Sequence, residues 1–256
     1  MSGGAHNLQA FDQQMEGEFL DEARDMVSAV DVLLENVRSR AVAGADAASS
    51  IRRDVANLRM LGRSVNFPQI SVITHRLEDY VADLADLDPR HVQDIQSFID
   101  KLRGILDGDV PAEATAELAR ALPARTAVDI QIVLLNIEVM LIIPEKALAT
   151  IVSRELQACG YRVSTVRTAF EAIEMAVRTK PDMVIAALTL EGLSGVDLAC
   201  MFAACPKTAQ MPFALFTSYA LGHPELAGLP PRSAVIRKGP HFGDDLAEAL
   251  SRFSIT

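Results

Sequence analysis

The chain contains 256 residues, of which 50% are hydrophobic and 23% are charged, with 14 glycines and 12 prolines. This composition excludes a disordered chain and a fibrous repeat, and the length is sufficient for two domains with separate cores. The net charge of −10 comes almost wholly from residues 1–124, which hold 12 Lys/Arg against 21 Asp/Glu, whereas residues 125–256 hold 12 against 13. An acidic chain without a basic tail argues against nucleic acid or an anionic membrane as the main partner.

The sequence has no pattern typical of a metal centre, of secretion or of membrane insertion. The five histidines and three cysteines (Cys159, Cys200 and Cys205) lack metal-ligand spacing, so we predict neither a metal nor a cofactor. The N-terminus lacks the basic-then-apolar pattern of a signal peptide, and polar residues interrupt the most apolar stretch, residues 130–143. We therefore expect a cytoplasmic protein.

The first half of the chain carries helical apolar spacing throughout, over residues 11–122. Five helices are predicted: a long one that ends before the Ala/Gly-rich residues 41–48, one over 49–62, one begun by Pro68, one begun by Asp88-Pro89, and a short one over 113–122. Helices joined by short loops predict an antiparallel bundle, so the first half is predicted to be all-α.

After Pro123, short apolar runs alternate with helical segments. Strands are predicted over residues 137–143, 161–166, 183–188, 213–217 and 234–237, and helices over 144–160, 169–178, 196–204 and 244–253, with a Pro/Gly-rich loop between the last two strands. Five such strands predict an α/β domain with a doubly wound parallel sheet. The boundary is placed near residues 123–128, which gives domains 1–124 and 125–256.

The second domain resembles the flavodoxin-like receiver domain of bacterial two-component signalling over about residues 130–253. The resemblance depends on LQACGYRV (156–163), KPDMVIAALTLEGLSGVDL (180–198), PFALFTS (212–218) and IRKGP (236–240). Such receivers carry a phosphoacceptor Asp at the end of the third strand and an acid pair after the first strand that binds Mg²⁺. The resemblance places Ala187 at the phosphoacceptor position, where a methyl group cannot accept a phosphoryl group.

The resemblance also locates the other receiver positions. In the ungapped register the acid pair falls on Ile142 and Ile143, which cannot bind a hard cation. A first strand at residues 130–135 would instead place the pair near Asn136 and Glu138, but Pro144 would then lie inside a helix, so the ungapped register is preferred.

Thr217 and Lys238 occupy the conserved strand-end positions of the receiver family. They are either a relic switch or simply a polar strand end and a solvated lysine, and the usual Lys-Pro junction is interrupted here by Gly239. Asp182 is expected at the opposite end of the sheet, and Glu191 in a solvated loop.

The helical half resembles a histidine phosphotransfer domain, in particular that of chemotaxis-type kinases, through EFLDEARDMVSAVDVLLENV (18–37) and NFPQISVITHRLEDYVADL (66–84). Counting back from Phe67-Pro68, the resemblance places Ala56 at the phosphorylated His position, Arg59 at the Lys position and Met60 at the Gly position. No imidazole is available there to accept a phosphoryl group. His75 lies on the third helix, where we expect a packed or solvated side chain that is not phosphorylated.

A basic stripe surrounds this position, because Arg52, Ala56, Arg59 and Arg63 are spaced four, three and four apart on the second helix. With Met60, it is a candidate surface for docking the acidic site of a receiver, although Met60 would crowd a close partner. The alternative is a solvated face, or arginines neutralised by acids of the bundle itself. We expect reversal of Arg52 and Arg59 to weaken partner binding without disturbing the fold.

These features favour a non-catalytic signalling adaptor, not an enzyme, which binds a kinase, a phosphotransfer protein or a receiver without phosphoryl transfer. One alternative is a phosphotransfer protein with an unusual acceptor, such as His75 or Glu191. Another is a sensor that holds a small molecule in the emptied site around Ile142, Ile143 and Ala187. Homodimerisation through the bundle or the last helix is left open.

Overall fold

The computed structural model describes residues 3–64, 67–109, 115–124 and 136–255. The chain divides into two compact units, Met1–Pro123 and Ala124–Thr256. The predicted fold class is confirmed, since the first unit is helical and the second contains a five-stranded, all-parallel sheet with flanking helices.

The described part of the first unit consists of the helices α1 (Gly3–Arg38), α2 (Gly44–Ser64), α3 (Pro68–Val81), α4 (Pro89–Leu106) and α5 (Thr115–Ala121). Contacts of α1 with α2, α2 with α3, α3 with α4, and α4 with α1 close a ring of four helices. Helices α1, α2 and α4 each bury one apolar stripe in the middle of this ring, whereas every residue of α3 from Gln69 to Leu77 is buried. On α4 the stripe contains Val92, Ile95, Phe98, Ile99 and Leu102, at spacings of three and four.

The first two helices extend further than the sequence predicted. Helix α1 begins at Gly3 instead of near residue 11, and α2 begins at Gly44 instead of residue 49. The sequence predicts a break over the Ala/Gly-rich residues 41–48. Because alanine is the best helix former, α2 begins within this segment, and a turn of five residues joins it to α1. Arg40 in that turn has a φ of 60°. Gly44 allows a close approach, because a Cβ there would lie 2.8 Å from the Leu87 carbonyl oxygen.

The prolines begin helices as predicted. Pro68 occupies the first turn of α3, and Pro89 that of α4. Asp88 caps α4, since its carboxylate accepts a hydrogen bond of 2.7 Å from the backbone N–H of His91, and the His91 Nδ1 accepts one from the backbone N–H of Asp88.

The second unit contains β1 (Glu138–Ile142), β2 (Arg162–Val166), β3 (Met183–Ala187), β4 (Phe213–Thr217) and β5 (Ala234–Arg237), in the spatial order β2-β1-β3-β4-β5. Every strand pair is parallel. The connecting helices are α6 (Lys146–Ala158), α7 (Ala169–Thr179), α8 (Gly195–Ala204) and α9 (Phe242–Arg252). This is the strand order of flavodoxin-like folds, in which sites form at the carboxyl ends of the strands.

The first strand follows the ungapped register. Ile142 pairs with Val166 of β2 and Ala186 of β3, and the strand begins at Glu138. Glu138 is buried at the amino end of β1, where its carboxylate accepts a hydrogen bond of 2.5 Å from Arg162 Nε. The backbone N–H of Glu138 donates to Asp182, so both acids lie at the opposite end of the sheet from the candidate site. The alternative first strand, residues 130–135, lies outside the described residues.

The connection from β4 to β5 differs from the other crossovers. Residues 218–233 contain no α-helix, and their regular structure is one 3-10 turn, Pro224–Leu226. Leu226 is buried, whereas Tyr219 stacks on His223 with ring centres 3.9 Å apart. The Pro/Gly-rich loop predicted here is therefore confirmed, and the unit lacks the helix that normally covers this crossover in a doubly wound fold.

Candidate functional site

The carboxyl ends of β1, β3, β4 and β5 bring the predicted receiver positions together around one cleft. Ile143, Ala187, Thr217 and Lys238 all line this cleft, which has a volume of about 430 Å³. Glu145, an exposed residue at the N-cap of α6, is the one carboxylate in its lining among the described residues. We call this cavity the strand-end cleft.

Ala187 closes the floor of the strand-end cleft. It is the last residue of β3, pairs with Phe216 of β4 and is 5% exposed. The chain packs tightly after it, because a Cβ on Gly195 would lie 2.3 Å from the Ala187 carbonyl oxygen. The side chain at this position offers no atom that could attack a phosphorus.

The positions of the acid pair are part of the sheet core. Ile142 is 0% exposed and Ile143 is 2% exposed. Mg²⁺ requires oxygen ligands, and a hydrocarbon side chain supplies none, so these residues do not fit the cation that receivers bind. Within the described ranges no cluster of three His, Cys, Asp or Glu side chains is arranged to hold a metal ion.

Thr217 and Lys238 occupy the predicted strand ends. The Thr217 Oγ1 accepts a hydrogen bond of 3.2 Å from the backbone N–H of Tyr219, and the residue is 2% exposed. The Lys238 Nζ lies 5.5 Å from the centre of the Phe216 ring. These local contacts are those of a polar strand end, and the relic-switch interpretation stays a prediction.

A carboxylate that the sequence analysis did not single out holds the end of β5. Asp245 on α9 is 7% exposed and accepts three hydrogen bonds from Arg237, at 2.7–2.8 Å, from the backbone N–H, Nε and Nη2. These bonds hold the pKa of the Asp245 carboxyl below its usual range. The pair anchors α9 to the residue that precedes Lys238. The sequence signal that could have identified this pair is the two adjacent acids, Asp244 and Asp245, in the first turn of the predicted last helix.

In the helical unit, the predicted basic stripe contacts the bundle itself. The Arg59 guanidinium pairs with Glu78 of α3, and its side chain is 17% exposed. Arg52 donates to the Leu84 carbonyl oxygen and, at 3.0 Å, to the Ser49 hydroxyl. Arg59 thus pairs with an acid of its own bundle, whereas the partners of Arg52 are a carbonyl and a hydroxyl group.

The remaining positions of this surface are more open. Met60 is 73% exposed and Ala56 is half-buried beside it on α2, while the Arg63 side chain lies outside the described residues. Docking of a partner on this surface stays a prediction, and Met60 is the most exposed of its described members.

His75 lies inside the bundle. It is 3% exposed, and its Nε2 is 3.7 Å from a carboxylate oxygen of Asp79 on the same helix. An imidazole in this position cannot meet a phosphoryl group on another protein without a rearrangement of α3.

Strand order and parallel pairing define the second unit as a flavodoxin-like fold, and alkyl side chains stand at the carboxyl ends of β1 and β3. No protein-family model matches the chain, and no curated protein matches it. None of the helices in the described ranges combines the length and apolar character needed to cross a lipid bilayer.

The solved structures similar to this chain include two receiver domains and a chemotaxis response regulator, each aligned over 46% of it. The receiver domain of the sensor histidine kinase PA1611 from Pseudomonas aeruginosa is 18% identical, with 97% of it covered and a TM-score of 0.41. The chemotaxis response regulator CheY4 of Vibrio cholerae is 19% identical, with 98% covered and a TM-score of 0.40. The receiver domain of a signal transduction histidine kinase from Syntrophus aciditrophicus is 18% identical, with 89% covered and a TM-score of 0.41.

Proposed function

We propose that this chain is a cytoplasmic, non-catalytic adaptor of two-component signalling. It binds a histidine kinase, a phosphotransfer protein or a receiver, and it transfers no phosphoryl group. The observation that carries this proposal is the floor of the strand-end cleft, where a buried methyl group, that of Ala187, stands at the end of the third strand. A receiver fold whose phosphorylation residues are alkyl groups retains its surface for binding other proteins but has no chemistry to perform.

The helical unit extends the same proposal. Its resemblance to a phosphotransfer domain, with Ala56 at the His position, makes the chain a fusion of two modules that have each lost an acceptor. Loss in both modules supports selection for binding alone, because a protein that relays phosphate needs at least one acceptor. Such an adaptor sequesters a partner, blocks a relay or holds an assembly together.

Phosphorylation is tested by incubating the full chain with acetyl phosphate and Mg²⁺ and measuring its intact mass. We expect no added phosphoryl mass, and no change of tyrosine fluorescence when beryllofluoride is added. His75→Gln and Glu191→Gln are prepared in parallel. A mass gain in the wild type that either substitution removes would establish the alternative, a phosphotransfer protein with an unusual acceptor.

Binding is tested with purified two-component proteins from the same organism, by measuring the affinity of the full chain for each. Met60→Glu places a charge on the candidate docking surface at a 73% exposed position, and Val32→Glu is the matched control at a 61% exposed position on α1. We expect Met60→Glu to weaken binding of a helical-unit partner at least tenfold and Val32→Glu to leave it unchanged. Binding to none of the kinases, phosphotransfer proteins and receivers would overturn the proposal.

A further inference from the structure

A second cavity of the α/β unit, which we call the α6–α9 groove, has a volume of about 540 Å³. Helix α6 contributes Leu148, Ile151 and Val152 to its walls, and α9 contributes Leu246 and Leu250. This volume lies in the range of about 300–1,000 Å³ that is typical of small-molecule sites, and such sites are mostly apolar.

Two phenylalanine side chains that pack against each other form one end of the groove. Phe242, the first residue of α9, packs edge-on against Phe216 of β4, with ring centres 6.0 Å apart and an interplanar angle of 85°. Phe216 itself is 2% exposed. Ile151, by contrast, is 60% exposed on the wall of the groove, so a large apolar side chain faces water where a ligand chain would cover it.

A cation stands where the groove meets the strand-end cleft. Lys238 lines both cavities, as does Leu148. The Lys238 ammonium lies 5.5 Å from the Phe216 ring centre and forms no ion pair with any residue that the structure describes. Lys238 is therefore a positive charge at one end of an apolar groove, and no carboxylate of the described residues binds it.

The acids that line the two cavities lie apart from this end of the groove or face solvent. Glu155 is exposed on α6, two helical turns, or about 10 Å, beyond Leu148. Glu145 is exposed at the N-cap of α6 and lines the strand-end cleft but not the groove. Lys238 thus lies at one end of a groove whose walls are mostly hydrocarbon, and the exposed Glu155 lies about 10 Å along α6 from Leu148.

We propose that the α6–α9 groove binds a single-chain anionic amphiphile, with its anionic head at Lys238 and its hydrocarbon chain along α6 and α9. A carboxylate or a phosphate head supplies the missing counter-charge, and the chain covers Ile151. The site lies beside the phosphorylation position but uses none of its chemistry. This assignment gives the adaptor a ligand input, and it stands whether or not the chain binds two-component partners.

The test is calorimetric titration of the full chain with decanoate below its micelle-forming concentration. Decyl phosphate distinguishes the two heads, and decanol and decyltrimethylammonium are the neutral and cationic comparators. Four variants accompany the wild type. Lys238→Gln removes the charge and Lys238→Arg keeps it, while Ile151→Glu charges the groove and Phe170→Glu is its matched control, at a 70% exposed position on α7 outside the groove.

We expect one site per chain and about tenfold weaker binding of octanoate than of decanoate, the change expected for two methylenes. Lys238→Gln is expected to weaken decanoate binding about tenfold, Ile151→Glu to abolish it, and Lys238→Arg and Phe170→Glu to leave it nearly unchanged. All substituted positions are exposed, so circular dichroism should show an unaltered fold.

Several results would overturn the assignment. No saturable binding of either anionic probe removes the site. Equal binding of decanol, or no effect of Lys238→Gln, removes the role of the lysine. Equal losses in Ile151→Glu and Phe170→Glu would show general adsorption to apolar surface in place of a groove.

Discussion

The two units each carry an alanine where the sequence analysis predicts a phosphoryl-acceptor position, but the two alanines lie in different surroundings. Ala187 is 5% exposed at the end of a central strand, beside the fully buried Ile142. Ala56 is half-buried on the side of α2, next to the exposed Met60. The predicted acceptor position of the α/β unit is thus part of the hydrophobic core, whereas that of the helical unit lies at the surface. Polar substitutions should therefore lower the free energy of unfolding strongly at the position in the α/β unit and weakly at the position in the helical unit.

The largest effect is expected from Ile142→Glu. The substitution places a carboxylate at a position that is 0% exposed between two strands, and the described residues form no metal-binding cluster that would stabilise the charge. We expect a loss of about 3–5 kcal/mol in the free energy of unfolding of the α/β unit, measured by urea denaturation. Ile151→Glu is the exposed control and should cost less than about 0.5 kcal/mol. Similar stability of the two variants would contradict the view that this site is core.

A smaller effect is expected at the pair that anchors α9. Asp245→Asn removes charge from a group that accepts three hydrogen bonds from Arg237, and should cost about 1–2 kcal/mol at neutral pH. Because the pKa of Asp245 is lowered in the folded state, its stabilisation is complete above the unfolded value of about 3.9 and is lost as the pH falls through the folded value.

The measurement for this pair is the difference in urea midpoint between wild type and Asp245→Asn at about pH 6 and about pH 3. The difference should shrink at the lower pH. A difference that stays constant with pH would mean that the variant acts through packing alone.

The helical unit is expected to lose about 1 kcal/mol on Arg59→Glu, because the ion pair with Glu78 becomes a repulsion at a mostly buried side chain. The expectation that reversal of this arginine leaves the fold undisturbed is revised accordingly. The double variant Arg59→Glu with Glu78→Arg should recover part of the loss in thermal denaturation. Arg53→Glu, at a side chain that is 71% exposed, provides the surface control on the same helix. Equal losses of stability in Arg59→Glu and Arg53→Glu would show that the Arg59–Glu78 pair contributes nothing to stability.

The smallest effect is expected from Ala56→His. The position is half-buried on the side of α2, so the main effect of histidine is its lower helix propensity. We expect a loss of about 0.5 kcal/mol in the free energy of unfolding. Thermal denaturation of Ala56→His and of Ala187→Asp compares the loss of stability at the two predicted acceptor positions directly. A larger loss for Ala56→His would reverse the comparison.

The order and type of the elements could be predicted from local pattern. Apolar spacing of three and four in the first half, and short β-branched runs bounded by prolines and glycines in the second, depend on near neighbours along the chain. The ungapped register also followed locally, because Pro144 excludes a helix across it. The start of α2 was wrong, since residues 41–48 contain both helix-forming alanines and turn residues, and only the packing of Gly44 against Leu87 distinguishes the two.

The sequence by itself determined that Ala187 and Ala56 cannot accept a phosphoryl group, because a methyl side chain lacks the required atoms in any fold. Only the tertiary structure decided which charges are available for binding. Arg59 has the same spacing on α2 whether it faces water or Glu78 on the neighbouring helix. In the same way, the α6–α9 groove joins residues far apart in the chain and leaves Lys238 at its mouth. Spacing along a helix specifies a face, but which face is covered depends on contacts between distant segments.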